Sequence, residues 1–187
     1  PINSGDMESV YNYLENRGIK QAKYIEDELG KNKIYATSVK RNGNTYICFS
    51  NEEMDFYILK NIKKTGMKDM IVNKNPGGFW YFIPFDDDLD VYEDEVFNVY
   101  VCESPIDAIS LYRINGEIAV YTAMGGLKGI ALEQICKKFS NPDKYEIVLA
   151  VDHDRAGNEF CKNYPEFARI IPTLKDWNED LCAKQSE

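Results

Sequence analysis

The chain has 187 residues, 44% of them hydrophobic and 13% aromatic, enough to bury a real core but not to build several independent domains. Its apolar runs, such as Ile147 to Val151, fall far short of the roughly 20 residues a membrane-spanning helix needs, and a single histidine with five cysteines in no C-x-x-C pair gives no structural zinc set. The net charge of −9 argues against a nucleic-acid ligand, yet removing the seven acids among Asp86, Asp87, Asp88, Asp90, Glu93, Asp94 and Glu95 leaves only −2, so a locally basic face is compatible with it.

Residues 1–85 read as a small α+β lobe. Helical patterns over Met7 to Arg17 and Ile19 to Leu29 end at Gly18 and Gly30, which serve as C-terminal stops. Strands are expected at Lys33 to Val39 and Thr45 to Phe49, joined through Arg41-Asn42-Gly43-Asn44, where Asn-Gly supplies the positive φ angles of a hairpin. Asp55 to Ile62 and Phe79 to Phe85 read as further strands of this lobe, the second preceded by Gly77-Gly78. The acidic run at 86–96 reads as a solvated linker.

Residues 97–187 then alternate strand and helix. Val99 to Cys102, Ile118 to Thr122, Ile147 to Val151 and Ala168 to Ile171 are apolar strands; a helix from Pro105 to about Arg113 follows the first, and one from Leu127 to Phe139 follows the second after Gly125-Gly126. Continuous apolar strands separated by helices indicate an α/β fold, a parallel sheet with helices on both faces.

In such sheets ligands bind beyond the carboxyl ends of the strands. Glu103 ends the first strand of this part, with Asp107 one helical turn on; Asp152 and Asp154 end the third, projecting to one side while His153 points away; Asp176 follows the fourth. Five carboxylates are thereby aimed at one rim. Clustered carboxylates repel and raise one another's pKa unless a cation compensates, and Mg²⁺ or Mn²⁺, with its preference for hard oxygen ligands and substrate phosphates, suits that role.

Glu103-Ser-Pro-Ile-Asp107 after one strand, Gly125-Gly126 after the next and Asp152-His-Asp154-Arg-Ala-Gly157 after the third resemble the signature of TOPRIM domains, found in DnaG-type primases, topoisomerases, recombination-repair proteins and OLD-family nucleases. Lys175-Asp176-Trp177-Asn178-Glu179 is similar to the acidic segment of DnaG-type primases and of primase-like proteins from plasmids and conjugative elements. In those proteins a Tyr-Leu-x-x-Arg-Gly-Ile opening precedes the domain, as Tyr13-Leu14-Glu15-Asn16-Arg17-Gly18-Ile19 does here. The resemblance implies Glu103, Asp152 and Asp154 as catalytic residues and Mg²⁺ ligands, with Asp107 and Asp176 shaping the site or holding a second ion. Asn178 departs from the pattern, standing where those primases tend to have another acid.

Other residues have two readings. Gly125 and Gly126 form a strand-to-helix turn or let backbone approach a phosphate, and Arg155 touches a phosphate or sits in solvent. Trp177 reads as a packing residue. Lys60, Lys63, Lys64 and Lys68 form the densest basic stretch, a solvated face or a nucleic-acid contact. The functional expectation is Mg²⁺-dependent phosphoryl transfer on nucleic acid, as a primase-like nucleotidyltransferase module of a mobile-element replication protein acting on single-stranded or primed DNA with nucleoside triphosphates and further replication domains. A metal-dependent nuclease and a non-catalytic DNA- or partner-binding module are the alternatives. A cytoplasmic location is expected, and the start at Pro1 without Met suggests a piece of a larger protein.

Overall fold

The computed structural model describes residues 7–30, 34–39, 44–50, 55–62, 70–73, 75–86, 88–92 and 95–185. Lys63, Lys64, Lys68 and the hairpin residues Arg41 to Gly43 lie outside them. Helix α1, Met7–Asn16, buries Val10 and Leu14, one turn apart on a single face. It stops in a Schellman turn: Gly18, at φ 79°, donates to the Glu15 carbonyl and Ile19 reaches back to Leu14. The helix expected over Ile19 to Leu29 is interrupted, because Gln21 takes a left-handed φ of 55°. A 3₁₀ turn, Ala22–Tyr24, and a short α2, Ile25–Leu29, take its place. The apolar spacing was nevertheless meaningful, since Ile19, Ala22, Ile25 and Leu29 are all fully buried.

Strands β1 (Ile34–Val39), β2 (Asn44–Ser50), β3 (Phe56–Asn61) and β4 (Met70–Asn73) form an antiparallel sheet in sequence order. Val39 pairs with Asn44, the register expected of a short hairpin between β1 and β2. The four-residue β4 has no counterpart in the sequence reading.

The second sheet has five strands, ordered β5 (Trp80–Phe82), β7 (Val120–Ala123), β6 (Phe97–Cys102), β8 (Tyr145–Leu149) and β9 (Ala168–Arg169). All neighbours are parallel except β5, which runs antiparallel to β7. This corrects the placement of Phe79 to Phe85: the strand is shorter and pairs in the second sheet, not in the N-terminal lobe. The acidic segment is not purely solvated either, because Leu89, in a 3₁₀ turn at Leu89–Val91, is 4% exposed and packs in the core around Phe97 and Val99.

Alternation along the second sheet divides the core. Val99, Val101, Leu149 and Val151 pack with Leu132 and Ile135 of α4 (Gly129–Lys138) and Cys161 of α5 (Arg155–Lys162). Tyr100, Cys102, Tyr121 and Val148 face the other way, against Ile106 and Ile109 of α3 (Pro105–Asn115) and Leu181 of α6 (Trp177–Lys184). Phe49, Phe56 and Ile58 of the first sheet join this second cluster, so the two sheets share one core. The expected parallel sheet with helices on both faces, preceded by a small α+β lobe, is what the chain forms. The path goes from β6 to β7 on one side and returns past β6 to β8, so the topological switch lies at the carboxyl ends of β6 and β8.

Candidate active site

Glu103 follows β6 directly, and its carbonyl accepts the Gly126 N–H at 3.0 Å, which ties the β6 end to the glycine turn after β7. Ser104 caps α3, with Pro105 in the first turn where its missing N–H costs nothing. The Ser104 hydroxyl donates to Asp107 Oδ2 at 2.5 Å, and the Asn178 backbone N–H donates to Asp107 Oδ1 at 3.4 Å. Asp107 is only 7% exposed.

β8 ends at Leu149, short of Asp152, so strand alternation does not govern Asp152 to Asp154. Asp154 is instead the N-cap of α5, its Oδ1 accepting the Gly157 N–H at 2.9 Å. His153 is exposed, and its backbone N–H donates to the Lys175 carbonyl. Gly157 is required by contact: a Cβ there would stand 2.2 Å from the Asp152 carbonyl oxygen, so glycine lets α5 start against the backbone of Asp152. Asp176 caps α6, accepting the Glu179 N–H at 2.8 Å. Trp177 is a packing residue, with its indole N–H donating to the Ala150 carbonyl at 2.7 Å.

These elements meet at a cleft of about 340 Å³ between the two sheets. Glu103, Asp107, Asp152 and Asp176 line one wall, together with Gly125 and Gly126. Phe49, Ile58 and Lys60 of the first sheet, and Arg17 at the end of α1, complete the lining. Asp154 and Arg155 are not among the lining residues; Arg155 is exposed at the start of α5. Both glycines have positive φ, 66° and 103°, and a Cβ on Gly125 would come within 3.0 Å of Ile58 Cδ1, whereas one on Gly126 would meet open space. Gly125 thus allows close approach of the first sheet, and Gly126 leaves room in the cleft. Arg17 was legible only as part of the Tyr13-to-Ile19 motif; nothing in the sequence announces that it faces the acids.

Burial pushes the Asp152 carboxyl up to about 7, and Asp107, Glu103, Asp176 and Asp154 push it the same way. Glu103 is raised by burial, then by Asp154 and Asp107, with Lys175 opposing. Asp107 is raised mainly by burial. Among the described residues no three His, Cys, Asp or Glu side chains group closely enough to enclose an ion. Mg²⁺ does not need three, since it keeps several waters and commonly takes one or two carboxylates plus substrate phosphates. Asp152 Oδ1 is buried without any hydrogen-bond partner, a vacancy in bonding that a hard cation satisfies. The donor set therefore fits Mg²⁺ or Mn²⁺, with Asp152 and Glu103 as the residues that would hold it.

A pH and metal dependence follows. A carboxyl whose pKa is raised on folding favours the fold when protonated; that stability is complete below the unfolded value near 3.8 and is lost as pH rises through about 7. Without metal, Asp152→Asn is expected to be more stable than wild type at pH 8 by about 1–2 kcal/mol, the full shift being discounted for a half-buried group, and to differ little at pH 4. Millimolar Mg²⁺ or Mn²⁺ should raise the wild-type melting temperature at pH 8 and raise that of the variant much less. Equal metal responses in thermal melts count against Asp152 as a ligand.

The model of the Toprim-like family matches residues 100–181. No curated protein matches the sequence. Solved structures share the fold over nearly the whole chain. The primase fragment of the bacteriophage T7 primase-helicase aligns with 92% of this chain and 69% of its own, at 15% identity and a TM-score of 0.57. The E. coli primase catalytic core aligns with 96% of this chain and 69% of its own, at 12% identity and a TM-score of 0.57. A DnaG primase catalytic domain bound to single-stranded DNA covers 98% and 71%, at 12% identity and a TM-score of 0.58. Among the described residues no helix is long and apolar enough to cross a membrane.

Proposed function

We propose that the protein is a primase-like nucleotidyltransferase module that extends nucleic acid on a single-stranded DNA template from nucleoside triphosphates, a reading supported by the Toprim-like match over residues 100–181 and by the fold shared with primase catalytic cores. The observation that carries this reading is that one cleft brings the acids Glu103 and Asp152 together with the cations Arg17 and Lys60. A triphosphate needs both: cations for its own charge and carboxylates to hold the metal that travels with it.

Asp152 and Glu103 would hold Mg²⁺ or Mn²⁺, with Asp107 and Asp176 beside them; Asp154, the α5 cap, acts on Glu103 through its charge. When bound, that metal supplies activation of a 3′-hydroxyl and charge neutralisation on the phosphates. Arg17 and Lys60, in the same cleft, meet phosphate oxygens. The open space above Gly126 admits a phosphate against backbone. Lys63 and Lys64 follow Lys60 in sequence and share its basic character toward template phosphates, and further replication domains of the mobile-element type are suggested by the opening motif. Incubation with Mn²⁺, all four nucleoside triphosphates and a single-stranded template tests the reading: short templated oligonucleotides are expected. Template cleavage without triphosphates would make the protein a nuclease, and binding with neither reaction would make it a recruitment module.

A further inference from the structure

Asn178 is 3% exposed and occupies the position where an acid was expected. Its Nδ2 donates to the Arg17 carbonyl at 2.7 Å and to Ser110 Oγ at 2.9 Å, while its backbone N–H reaches Asp107. A carboxylate cannot donate to the Arg17 carbonyl. An Asp here would leave the Arg17 carbonyl short of a donor and add a buried negative charge beside Asp107 and Asp176.

Asn178 does not act alone. Cys182 Sγ donates to the same Arg17 carbonyl at 3.5 Å, and Gln185 Nε2 donates to the Gly18 carbonyl. Positions 178, 182 and 185 follow the i, i+4, i+7 spacing of one helical face. Their targets lie just past α1: the Arg17 carbonyl follows those the Schellman turn satisfies, and the Gly18 carbonyl also accepts the Lys20 N–H at 3.0 Å. Gly18 is also the residue that permits the approach: a Cβ there would stand 3.1 Å from Cys182 Sγ and would have to adopt φ 79°. Leu14, Gly18 and Ile19 of the opening motif are explained by the turn itself. Arg17 is not; its side chain leaves the turn for the cleft, where Nε is buried without a hydrogen-bond partner and the guanidinium acts on Asp107 by charge.

We propose that α6 is a clasp that fixes Arg17 in the cleft beside the acidic residues, making Asn178 a positioning residue for the phosphate-bearing substrate. This rests on the function proposed above. Asp176 caps α6 in the cleft, and the same helix grips the Arg17–Gly18 turn along its length through Asn178, Cys182 and Gln185, so one short helix ties the Arg17 turn to the acids.

The test is binding of an unhydrolysable nucleoside triphosphate with Mn²⁺, measured by calorimetry at a temperature where melting curves show each variant folded, together with amide exchange at residues 17–20. Arg17→Ala and Asn178→Asp are each expected to weaken binding about tenfold, the loss of one buried charge-assisted contact. The double variant should be no weaker than Arg17→Ala, since Asn178 acts through Arg17. Should Asn178→Asp fail to fold, Gln185→Ala, at the exposed end of the helix, is expected to weaken binding about two- to threefold and to speed exchange at 17–20. Additive losses, or an Asn178→Asp variant that binds as tightly as wild type or more so, as a restored metal ligand would, overturn the clasp and leave the primase reading standing. Wild type that binds no triphosphate overturns the primase reading and the positioning role with it; unchanged amide exchange at 17–20 in Asn178→Asp then overturns the clasp as well.

Discussion

Asp152→Ala and Glu103→Ala are each expected to lower templated oligonucleotide synthesis at least about 100- to 1000-fold, the loss of several kcal/mol of charge stabilisation around a metal-held phosphate. Asp152 has the stronger case, because its Oδ1 is buried with no partner and its carboxyl is crowded by four other acids. Neither substitution removes core packing, so the variants should melt at or above the wild-type temperature in the absence of metal, which separates lost chemistry from lost fold. Asp154→Asn is the informative contrast. Asn caps a helix about as well as Asp, so any deep loss of synthesis in that variant assigns Asp154 a role beyond holding α5. Wild-type rates in Asp152→Ala would remove the acidic wall from the reaction.

Trp80→Ala is expected to cost about 3–5 kcal/mol, measured by urea unfolding, and to lower the melting temperature by roughly 6–20 °C for a chain of this size. Trp80 is fully buried on the three-residue β5. Its ring meets Phe49 of the first sheet edge-on at 5.3 Å and Phe82 at 5.3 Å, and Phe82 in turn stacks on Tyr121 of β7 at 5.2 Å. The aromatic chain fastens one sheet to the other directly behind the cleft, so synthesis should fall along with stability. A loss below about 1 kcal/mol would show that the sheets are held elsewhere.

The carboxyl edge of the second sheet was legible because its central strands, Val99 to Cys102 and Ile147 to Val151, are apolar throughout and each is followed by an acid. Long-range placement was less so. The apolar pattern of Trp80 to Phe82 announces a strand but not its sheet, and β4 is too short for its alternation to stand out. Asp154 looked equivalent to Asp152 only while the strand was assumed to continue; with β8 ending at Leu149, the segment turns and Asp154 becomes a cap. Asn178 looked like a lost acid because spacing reports position, not partners. Its amide is matched to a carbonyl 161 residues earlier, and no local pattern encodes that.

That separation bears on how the protein is made. The Asn178 to Arg17 and Gln185 to Gly18 bonds span 161 and 167 residues, long loops to close, and their formation waits on synthesis through residue 185. On the ribosome the first helix therefore emerges long before its partner exists. Nascent chains arrested short of residue 185 should leave the Arg17–Gly18 turn open to protease, with protection arriving in one step once α6 has cleared the exit tunnel. A product arrested before α6 would then carry the acidic strands with Arg17 not yet aligned, so assembly of the cleft waits on the last helix of the site rather than on its strands.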